Sequence, residues 1–241
     1  MSDLILKQNG RILEATFNRT SDCSVSDAMA AELSAALGTA HETSDMVLLR
    51  SAGADFCTGR ARNADAGPPD PEAYARRPEY DSIFFCYKAI KDAQVPVVGV
   101  IEGRCMGFGT AVAAVCDITF ASSTATFNIP EIEHNVMPTM VMSALYDRMN
   151  RNAILWMTYT AEFIDAERAL NYGLVSHVVP ADTLDAEIEK FCQTLLSRPR
   201  PAILGLKEYL HSAPHMDEKG ATDYARALHS MVNTAAAMKK H

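Results

Sequence analysis

The chain has 241 residues, of which 48% are hydrophobic and 22% charged, and its formal net charge is −8 at pH 7. This composition predicts a soluble globular protein that can bury a sizeable core. The acidic balance argues against a nucleic-acid or anionic-membrane surface, because either partner needs clustered lysine and arginine.

The cysteine pattern and the absence of long apolar runs narrow the protein class further. The six cysteines are scattered, with no Cys-x-x-Cys pair and no cysteine–histidine cluster at metal-ligand spacing, so we predict reduced thiols and no metal site. No window reaches the roughly 20 apolar residues of a membrane span, and MSDLILKQNG lacks a basic segment followed by an apolar run. We therefore expect a cytoplasmic protein without a membrane partner.

The first half of the chain alternates strand and helix patterns. LILKQNG and RILEATF meet at an Asn-Gly turn, which predicts a β-hairpin. SVSDAMAAELSAALGTAH has the pattern of a serine-capped amphipathic helix. The apolar strands DMVLLRSAG, PVVGVIEG and DITFAS then alternate with helices around YDSIFFCYKAIKDA and from Gly107. This alternation predicts a parallel sheet covered by helices.

The second half is mostly helical, with one further helix and strand in DAERALNYGLVSHVV. We divide the chain into an α/β core, residues 1–185, and a helical C-terminal region, residues 186–241. Residues 61–80 carry four prolines and mixed charge. A loop of this length in a compact domain is usually functional or disordered, so we predict a lid or pocket wall there.

Two strand ends run into glycine-containing loops that can expose main-chain N–H groups. In SAGADFCTGRARN, Gly59 allows a turn that leaves the amide of Arg60 free, and in IEGRCMGFG, Gly107 and Gly109 flank Phe108 at a helix start. The first N–H groups of a helix lack intrahelical partners. Two such amides converging on one oxygen would form an oxyanion hole. Close glycine packing without catalysis is the alternative at this point.

The segments ADFCTGR, IEGRCMGFGTAVAAVCDITFAS and ATFNIPE together resemble, in order and spacing, the motifs of the enoyl-CoA hydratase/isomerase family, the crotonase superfamily. FIDAERALNYGLVSHVVP is similar to the Ala-x-x-Gly-Leu-Val segment of that family, so the resemblance covers most of the chain. It implies an α/β, crotonase-like (ClpP/crotonase) fold of repeated ββα units with a helical C-terminal trimerisation region. It also implies a homotrimer or a hexamer built as a dimer of trimers.

The resemblance further implies an acyl-CoA or enoyl-CoA thioester as substrate, with no separate cofactor because coenzyme A enters as part of that substrate. The thioester carbonyl would lie between the backbone N–H groups of Arg60 and Phe108, which would stabilise an enolate. Glu131 would be the catalytic acid/base group. The residues expected at the substrate-binding site are Ala54, Phe56, Gly59, Gly107, Ala111 and His134.

The match is incomplete at the two glutamates that hydratases of the family use. Ala111 stands at the position of the first, and Glu131 matches the second. Family isomerases use a single glutamate to move a proton and double bond on an enoyl-CoA, so we predict isomerase-like activity. Two alternatives stay open: hydration or another family reaction (decarboxylation, C–C hydrolysis) with an unidentified second group, for which Glu133 and His134 are nearby, and a non-catalytic acyl-CoA-binding subunit.

Three further sets of residues suggest contacts with substrate. The Arg60 side chain would suit an additional substrate carboxylate if it pointed into the site. Arg76, Arg77 and Lys207 could meet the phosphates of coenzyme A, although solvated surface charge is the commoner role for such residues. The methionines of NVMPTMVMSAL could line an adaptable acyl pocket, and plain core packing is the alternative.

Overall fold

The computed structural model describes residues 2–61 and 72–239. The strands β1 to β9 in these ranges are Leu4–Asn9, Ile12–Phe17, Met46–Ser51, Val97–Ile101, Arg104–Met106, Ile118–Ser122, Thr126–Asn128, Ile164–Asp165 and His177–Val179. The helices α1 to α9 are Asp27–Thr43, Asp81–Asp92, Phe108–Val115, Thr139–Leu145, Arg151–Thr160, Ala166–Asn171, Leu184–Leu196, Arg200–Ser212 and Glu218–Thr234. Short 3₁₀ helices cover Arg77–Tyr80, Glu131–His134, Ala213–His215 and Ala236–Met238.

A six-stranded sheet in the order β1-β2-β3-β4-β6-β9 forms the centre of the fold. β1 and β2 pair antiparallel through a turn in which Gly10 has φ +56°, and the other neighbours pair parallel. The predicted hairpin and the predicted parallel sheet are both confirmed. Because the crossovers between parallel strands carry helices, the central strands β3 and β4 are buried on both faces, whereas most of the edge strand β1 is exposed.

A second, three-stranded sheet in the order β5-β7-β8 has no counterpart among the predicted elements. Cys105 of β5 lies opposite Phe127 of β7, and β7 pairs antiparallel with β8. Strands of two or three residues are too short to show alternation, so the sequence pattern does not reveal them. This small sheet has a direct consequence for the site, because it holds the segment before α3 beside the segment that precedes Glu131.

Helices α1 and α2 pack together over the main sheet. Ser26 caps α1 by accepting a hydrogen bond from the N–H of Met29 at 3.2 Å, and Leu33 and Leu37 are buried on its inner face, as the sequence predicts. The buried side chains of α2 are Ile83, Cys86, Tyr87 and Ile90. Every residue of α3 is buried, which explains why this helix consists of small and apolar residues.

The helices after β9 fold back on the core without an intervening strand, as predicted. Arg200, at the start of α8, donates to the carbonyl oxygens of His41 and Ser44 and pairs with the buried carboxylate of Asp45, which Arg11 also contacts. These contacts attach α8 to the end of α1. The division of the chain at residue 185 stays a prediction; it falls inside α7, whose inner face packs against the main sheet.

Lys207 of α8 has a structural role in place of the phosphate contact considered from the sequence. Its ammonium is 8% exposed and donates to Asp117 at 2.7 Å and to the carbonyl oxygens of Val95 at 3.0 Å and Ile90 at 3.3 Å. With its hydrogen bonds committed to these three acceptors, the ammonium is not available to a ligand.

We expect Lys207→Met to lower the free energy of unfolding by about 1–3 kcal/mol, because three acceptors lose their donor while Asp117 keeps access to water. Urea denaturation measures this change. Lys190→Met removes an exposed lysine of α7 and should change stability by less than about 0.5 kcal/mol. Unchanged stability of Lys207→Met would contradict the structural role.

Within residues 2–61 and 72–239, no helix is long and apolar enough to cross a membrane, and no cluster of three or more histidine, cysteine or acidic side chains could hold a metal ion. The six cysteines are all buried and unpaired.

Candidate active site

The β5–α3 connection turns sharply at a glycine and leaves a main-chain amide without an acceptor. Gly107 has φ +49° and ψ −108°, a conformation that L residues rarely adopt. Its own N–H donates to the carbonyl oxygen of Asn128 at 3.1 Å. The next N–H, that of Phe108, begins α3 and donates to no acceptor among the described residues. The helix N-terminus at this point favours negative charge.

Thr110 fixes this helix start to both strands of the small sheet. Its fully buried hydroxyl lies 2.8 Å from the carbonyl oxygen of Cys105 and 2.9 Å from that of Asn128, and the two acceptors share its single proton. Asn128 therefore holds Gly107 through one hydrogen bond and Thr110 through another. The orientation of the Phe108 amide follows from these main-chain contacts, which explains why so few polar side chains are needed in this segment.

The second glycine loop presents the amide of Arg60. Gly59 has φ +123°, its carbonyl oxygen accepts from the N–H of Val25 at 3.0 Å, and the N–H of Ala61 donates to the carbonyl oxygen of Val25 at 2.8 Å. Because the residues on either side of Arg60 bond to Val25, the N–H of Arg60 points to the opposite side of the chain. It has no acceptor in the part of the chain that the structure describes.

The two loops are in direct contact through Cys57. Its carbonyl oxygen accepts from the N–H of Met106 at 2.8 Å, and its own N–H donates to the carbonyl oxygen of Arg104 at 3.2 Å. A Cβ added to Gly109 would lie 2.6 Å from the Cβ of Cys57, so only glycine allows this approach. The unsatisfied amides of Arg60 and Phe108 thus belong to adjacent segments, as the predicted oxyanion hole requires.

Glu131 lies against the turn that carries the Phe108 amide. A Cβ added to Gly107 would be 2.5 Å from Oε1 of Glu131 and 3.4 Å from its Cδ. Oε2 is buried and has no hydrogen-bond partner among the described residues. Burial raises the pKa of Glu131, and its own main-chain N–H and the charge of His134 oppose the increase. A carboxyl group with a raised pKa and an unsatisfied oxygen is suited to accept and return a proton.

Ala111 lies in the first turn of α3 and is fully buried. Its methyl group offers no acid or base at the position where the family resemblance predicts a second carboxylate. Glu133 and His134 follow Glu131 in the same 3₁₀ helix and are both exposed. His134 is close enough to lower the pKa of Glu131, whereas no second carboxylate of the described residues acts on that pKa.

The structure places two of the residues expected at the substrate site, Phe56 and Ala54, in different surroundings. The ring of Phe56 is 1% exposed and packs edge-on against Phe17 at 5.7 Å between centroids, so it belongs to the core. A substrate contact of Phe56 would have to come from its main chain. Ala54 is exposed, and its carbonyl oxygen would be 2.1 Å from a Cβ added to Gly103, so this loop is packed against the end of β4.

The side chain of Arg60 does not point toward a substrate carboxylate. Its guanidinium donates to both oxygens of Asp27, at 2.7 and 2.6 Å, and to the carbonyl oxygen of Glu79 at 3.0 Å. The pair raises the pKa of Arg60 and, with Arg60 as the main cause, lowers the pKa of Asp27. The structure thus corrects the idea that this arginine recognises a further carboxylate: it attaches the loop to α1 and to the start of α2.

We expect Asp27→Asn to lower the free energy of unfolding by roughly 0.5–1 kcal/mol at neutral pH, because both partners are partly exposed. The folded-state pKa of Asp27 is below its ordinary value of 3.8. The stabilisation is therefore present above that value and disappears as pH falls through the lower folded pKa. Urea denaturation at neutral and acidic pH measures the effect, and kcat should fall a few-fold because the Arg60 loop loses an anchor.

Asp223→Asn provides the comparison for that experiment. Asp223 pairs with Lys219 and Arg226 on α9 and is about as exposed as Asp27. We expect a similar loss of stability with no change in kcat. Equal kcat values for both variants would contradict the anchoring role of Asp27.

The remaining predictions around the site give mixed results. Residues 62–71 of the predicted lid lie outside the described residues, and the rest of it ends in the 3₁₀ helix that leads into α2. Arg76 donates to the hydroxyl of Tyr80 at 3.2 Å, and Arg77 is exposed, so a phosphate contact stays a prediction for both. Met140 and Met142 pack against the core, which favours the core alternative for them, whereas Met137 is 74% exposed.

Sequence reasoning missed one polar group beside the candidate site. Tyr87 of α2 stacks on the ring of Phe108, with 5.6 Å between centroids, and is 4% exposed. Its hydroxyl is buried and has no hydrogen-bond partner among the described residues. In a helical pattern an inward-facing tyrosine looks like an ordinary core residue, and only the missing partner distinguishes it.

Comparisons with known proteins agree with the sequence resemblance. A family model described as enoyl-CoA hydratase/isomerase matches residues 7–240. The chain is 32% identical over 131 residues, 54% of its length, to the probable enoyl-CoA hydratase echA8 of Mycobacterium leprae, and 30% identical over 145 residues, 60% of its length, to the mitochondrial enoyl-CoA hydratase domain-containing protein 3 of Rattus norvegicus. These matches cover 51% and 47% of the relatives, so the chain spans about half the length of the curated relatives it matches.

A solved structure extends the match over the whole fold. The crystal structure of an enoyl-CoA hydratase from Mycobacterium smegmatis superposes with a TM-score of 0.91 at 25% sequence identity, covering 99% of this chain and 93% of that one. The predicted fold class, with its repeated α/β units and C-terminal helices, is confirmed by this match.

Proposed function

The chain belongs to the enoyl-CoA hydratase/isomerase family, and on that premise we propose that it is an enzyme that moves a proton and a double bond on an enoyl-CoA thioester. The observation that carries the proposal is the single carboxylate of Glu131. It lies against the turn that presents the Phe108 amide, with one oxygen buried and unsatisfied. No second carboxylate accompanies it at Ala111.

In the proposed reaction a 3-enoyl-CoA loses a proton from C2 to the Glu131 carboxylate. The electron pair of the broken C–H bond moves into a dienolate, whose charge is concentrated on the thioester oxygen. The N–H groups of Arg60 and Phe108 donate hydrogen bonds to that oxygen, and each such donor is worth about 3 kcal/mol in the transition state. Protonated Glu131 then delivers the proton to C4, which gives the conjugated 2-enoyl-CoA and restores the carboxylate.

The arrangement of acidic groups supports isomerisation over hydration. Water addition needs one group to deprotonate and orient water while another protonates the neighbouring carbon, whereas a proton shuttle along one face of the chain needs only one base. Hydration is the second candidate because the names of both relatives refer to enoyl-CoA hydratase. In that case His134, which acts on the pKa of Glu131, is the polar side chain that would assist.

Assembly into a homotrimer or a dimer of trimers is part of the proposal. Large apolar side chains are exposed on the helices of the second half, namely Trp156, Tyr159, Leu206, Leu210 and Met231. Apolar surface of this kind often marks a contact between subunits. The cytoplasmic location stays a prediction, and one set of relatives is named mitochondrial.

The test uses purified protein with trans-3-hexenoyl-CoA and, separately, with crotonyl-CoA, while the absorbance of the conjugated thioester is followed. Appearance of conjugation with the first substrate and no loss with the second is the expected result. Loss of conjugation with crotonyl-CoA alone would establish hydration in place of isomerisation. No absorbance change with either substrate, together with tight binding of each thioester, would favour the non-catalytic acyl-CoA-binding subunit.

A further inference from the structure

The phenol of Tyr87 is a hydrogen-bond donor that has no acceptor in the part of the chain that the structure describes. Buried tyrosine hydroxyls usually find a partner, because an unsatisfied buried polar group costs about 1–3 kcal/mol. Tyr87 is 4% exposed and its hydroxyl has no partner among the described residues. An acceptor atom on a bound substrate would take the hydrogen bond of this hydroxyl.

The surroundings of the phenol place it at the candidate active site. Its ring stacks on Phe108, whose amide is one of the two proposed oxyanion donors. After burial, the groups that act on the pKa of Tyr87 are its neighbour Cys86 in α2, then Glu131, Cys57 and Arg60, so the phenol is close to all four. Glu131 and Arg60 are residues that we assign to the reaction, and Cys57 joins the two glycine loops. The unsatisfied donor is therefore next to the reacting groups and separate from the general core.

The ionisation state of the phenol and its neighbours restricts the ligand. Burial is the main cause that raises the pKa of Tyr87 well above its ordinary value, so the group is a neutral donor at physiological pH. The nearby carboxylate of Glu131 would repel an anion. Among the described residues, the guanidinium of Arg60 already pairs with Asp27. A neutral oxygen suits these surroundings better than a second carboxylate.

From this geometry we propose that Tyr87 is a specificity-determining residue that donates a hydrogen bond to a neutral oxygen, a hydroxyl or a ketone, on the acyl group of the substrate. The inference rests on the proposed function and names its substrate class: an enoyl-CoA that carries oxygen beyond C4. The oxygen lies beyond C4 because C2 to C4 undergo the proton shuttle, and the thioester oxygen is already held by the two amides.

Binding of saturated thioesters tests the inference without any reaction. Calorimetry compares hexanoyl-CoA with 5-oxohexanoyl-CoA, 5-hydroxyhexanoyl-CoA and 6-hydroxyhexanoyl-CoA, using the wild type and Tyr87→Phe. We expect at least one oxygenated ligand to bind the wild type about tenfold more tightly than hexanoyl-CoA, the effect of one hydrogen bond in a dry site. Tyr87→Phe should abolish this preference and leave the Kd of hexanoyl-CoA unchanged. Hexanedioyl-CoA, which has a terminal carboxylate, should bind no more tightly than hexanoyl-CoA.

The variant is suited to the test because it removes a group that contributes nothing to folding in the free protein. Tyr87→Phe should be at least as stable as the wild type, and Tyr146→Phe, which alters an exposed tyrosine, serves as the control with unchanged ligand preference. A preference that survives in Tyr87→Phe, or its absence from the wild type when hexanoyl-CoA binds, overturns the inference and leaves the proposed function standing. If no thioester binds the wild type, the proposed function itself is overturned.

Discussion

Replacing Glu131 by glutamine is expected to lower kcat for isomerisation of a 3-enoyl-CoA by a factor of about 10²–10⁴, the range for a positioned acid/base group. The amide has nearly the same shape as the carboxylic acid but cannot accept the C2 proton. KM should change little, because Glu131 acts on the reacting carbon and the thioester oxygen is held by main-chain N–H groups. Steady-state kinetics with the conjugated product as readout measures both parameters.

The same variant should be more stable than the wild type at neutral pH. Glu131 has a raised pKa in the folded state, so the folded protein binds its proton more tightly than the unfolded chain does. Stability therefore decreases as pH rises from the ordinary value of 4.5 through the folded pKa, and an amide avoids this loss. Thermal unfolding should show a higher Tm for Glu131→Gln at neutral pH and no difference at pH values below the ordinary carboxyl range.

Glu133→Gln is the matched control, because Glu133 is exposed in the same 3₁₀ helix and lies two residues away. Its kcat and Tm should equal those of the wild type. The pH profile gives a further check: wild-type kcat should rise with pH through a pKa above that of an ordinary glutamate, since only ionised Glu131 accepts a proton. Full activity of Glu131→Gln would refute the single-base mechanism.

Patterns that extend over several residues made most of the fold predictable. The Asn-Gly hairpin, the serine-capped α1 and the apolar parallel strands each extend over five or more residues. The small sheet of β5, β7 and β8 was missed because its strands have two or three residues. Its pairing depends on contacts between distant segments, for which a single sequence offers no periodic signal.

The same distinction separates the predicted from the unpredicted parts of the site. Gly107 and the following amide could be located from the turn and helix-start pattern, because main-chain geometry is encoded locally. The ion-pair partner of a long charged side chain is not encoded locally. Arg60 pairs with Asp27, 33 residues earlier, and Lys207 pairs with Asp117, 90 residues earlier. Such pairs become visible only when the folded chain brings distant segments together.

Gly107→Ala is expected to have the second large effect, because two independent constraints act on this position. Its φ of +49° with ψ of −108° is strained for any residue with a Cβ, at about 1–3 kcal/mol. The new methyl carbon would also lie 2.5 Å from Oε1 of Glu131. Either the turn or the carboxylate must move. A displacement of about 1 Å at reacting groups can reduce the rate by about 10²-fold, so we expect a loss of that size in kcat.

Gly38→Ala is the control, since Gly38 is exposed on α1 and a Cβ there meets nothing within 4 Å. It should raise stability by about 0.4–1 kcal/mol and leave kcat unchanged.

The combined variant Gly107→Ala with Glu131→Asp separates the two constraints. Aspartate is one methylene shorter, which relieves the contact with the new methyl group but not the backbone strain. If displacement of the carboxylate causes the loss of activity, the double variant should lose less than the product of the two single effects, whereas its stability should stay low because the strain persists. If the loss of kcat in the double variant equals the product of the two single losses, displacement of the Phe108 amide is the cause instead. The comparison therefore distinguishes which of the two neighbours, the base or the oxyanion donor, depends on a glycine at this turn.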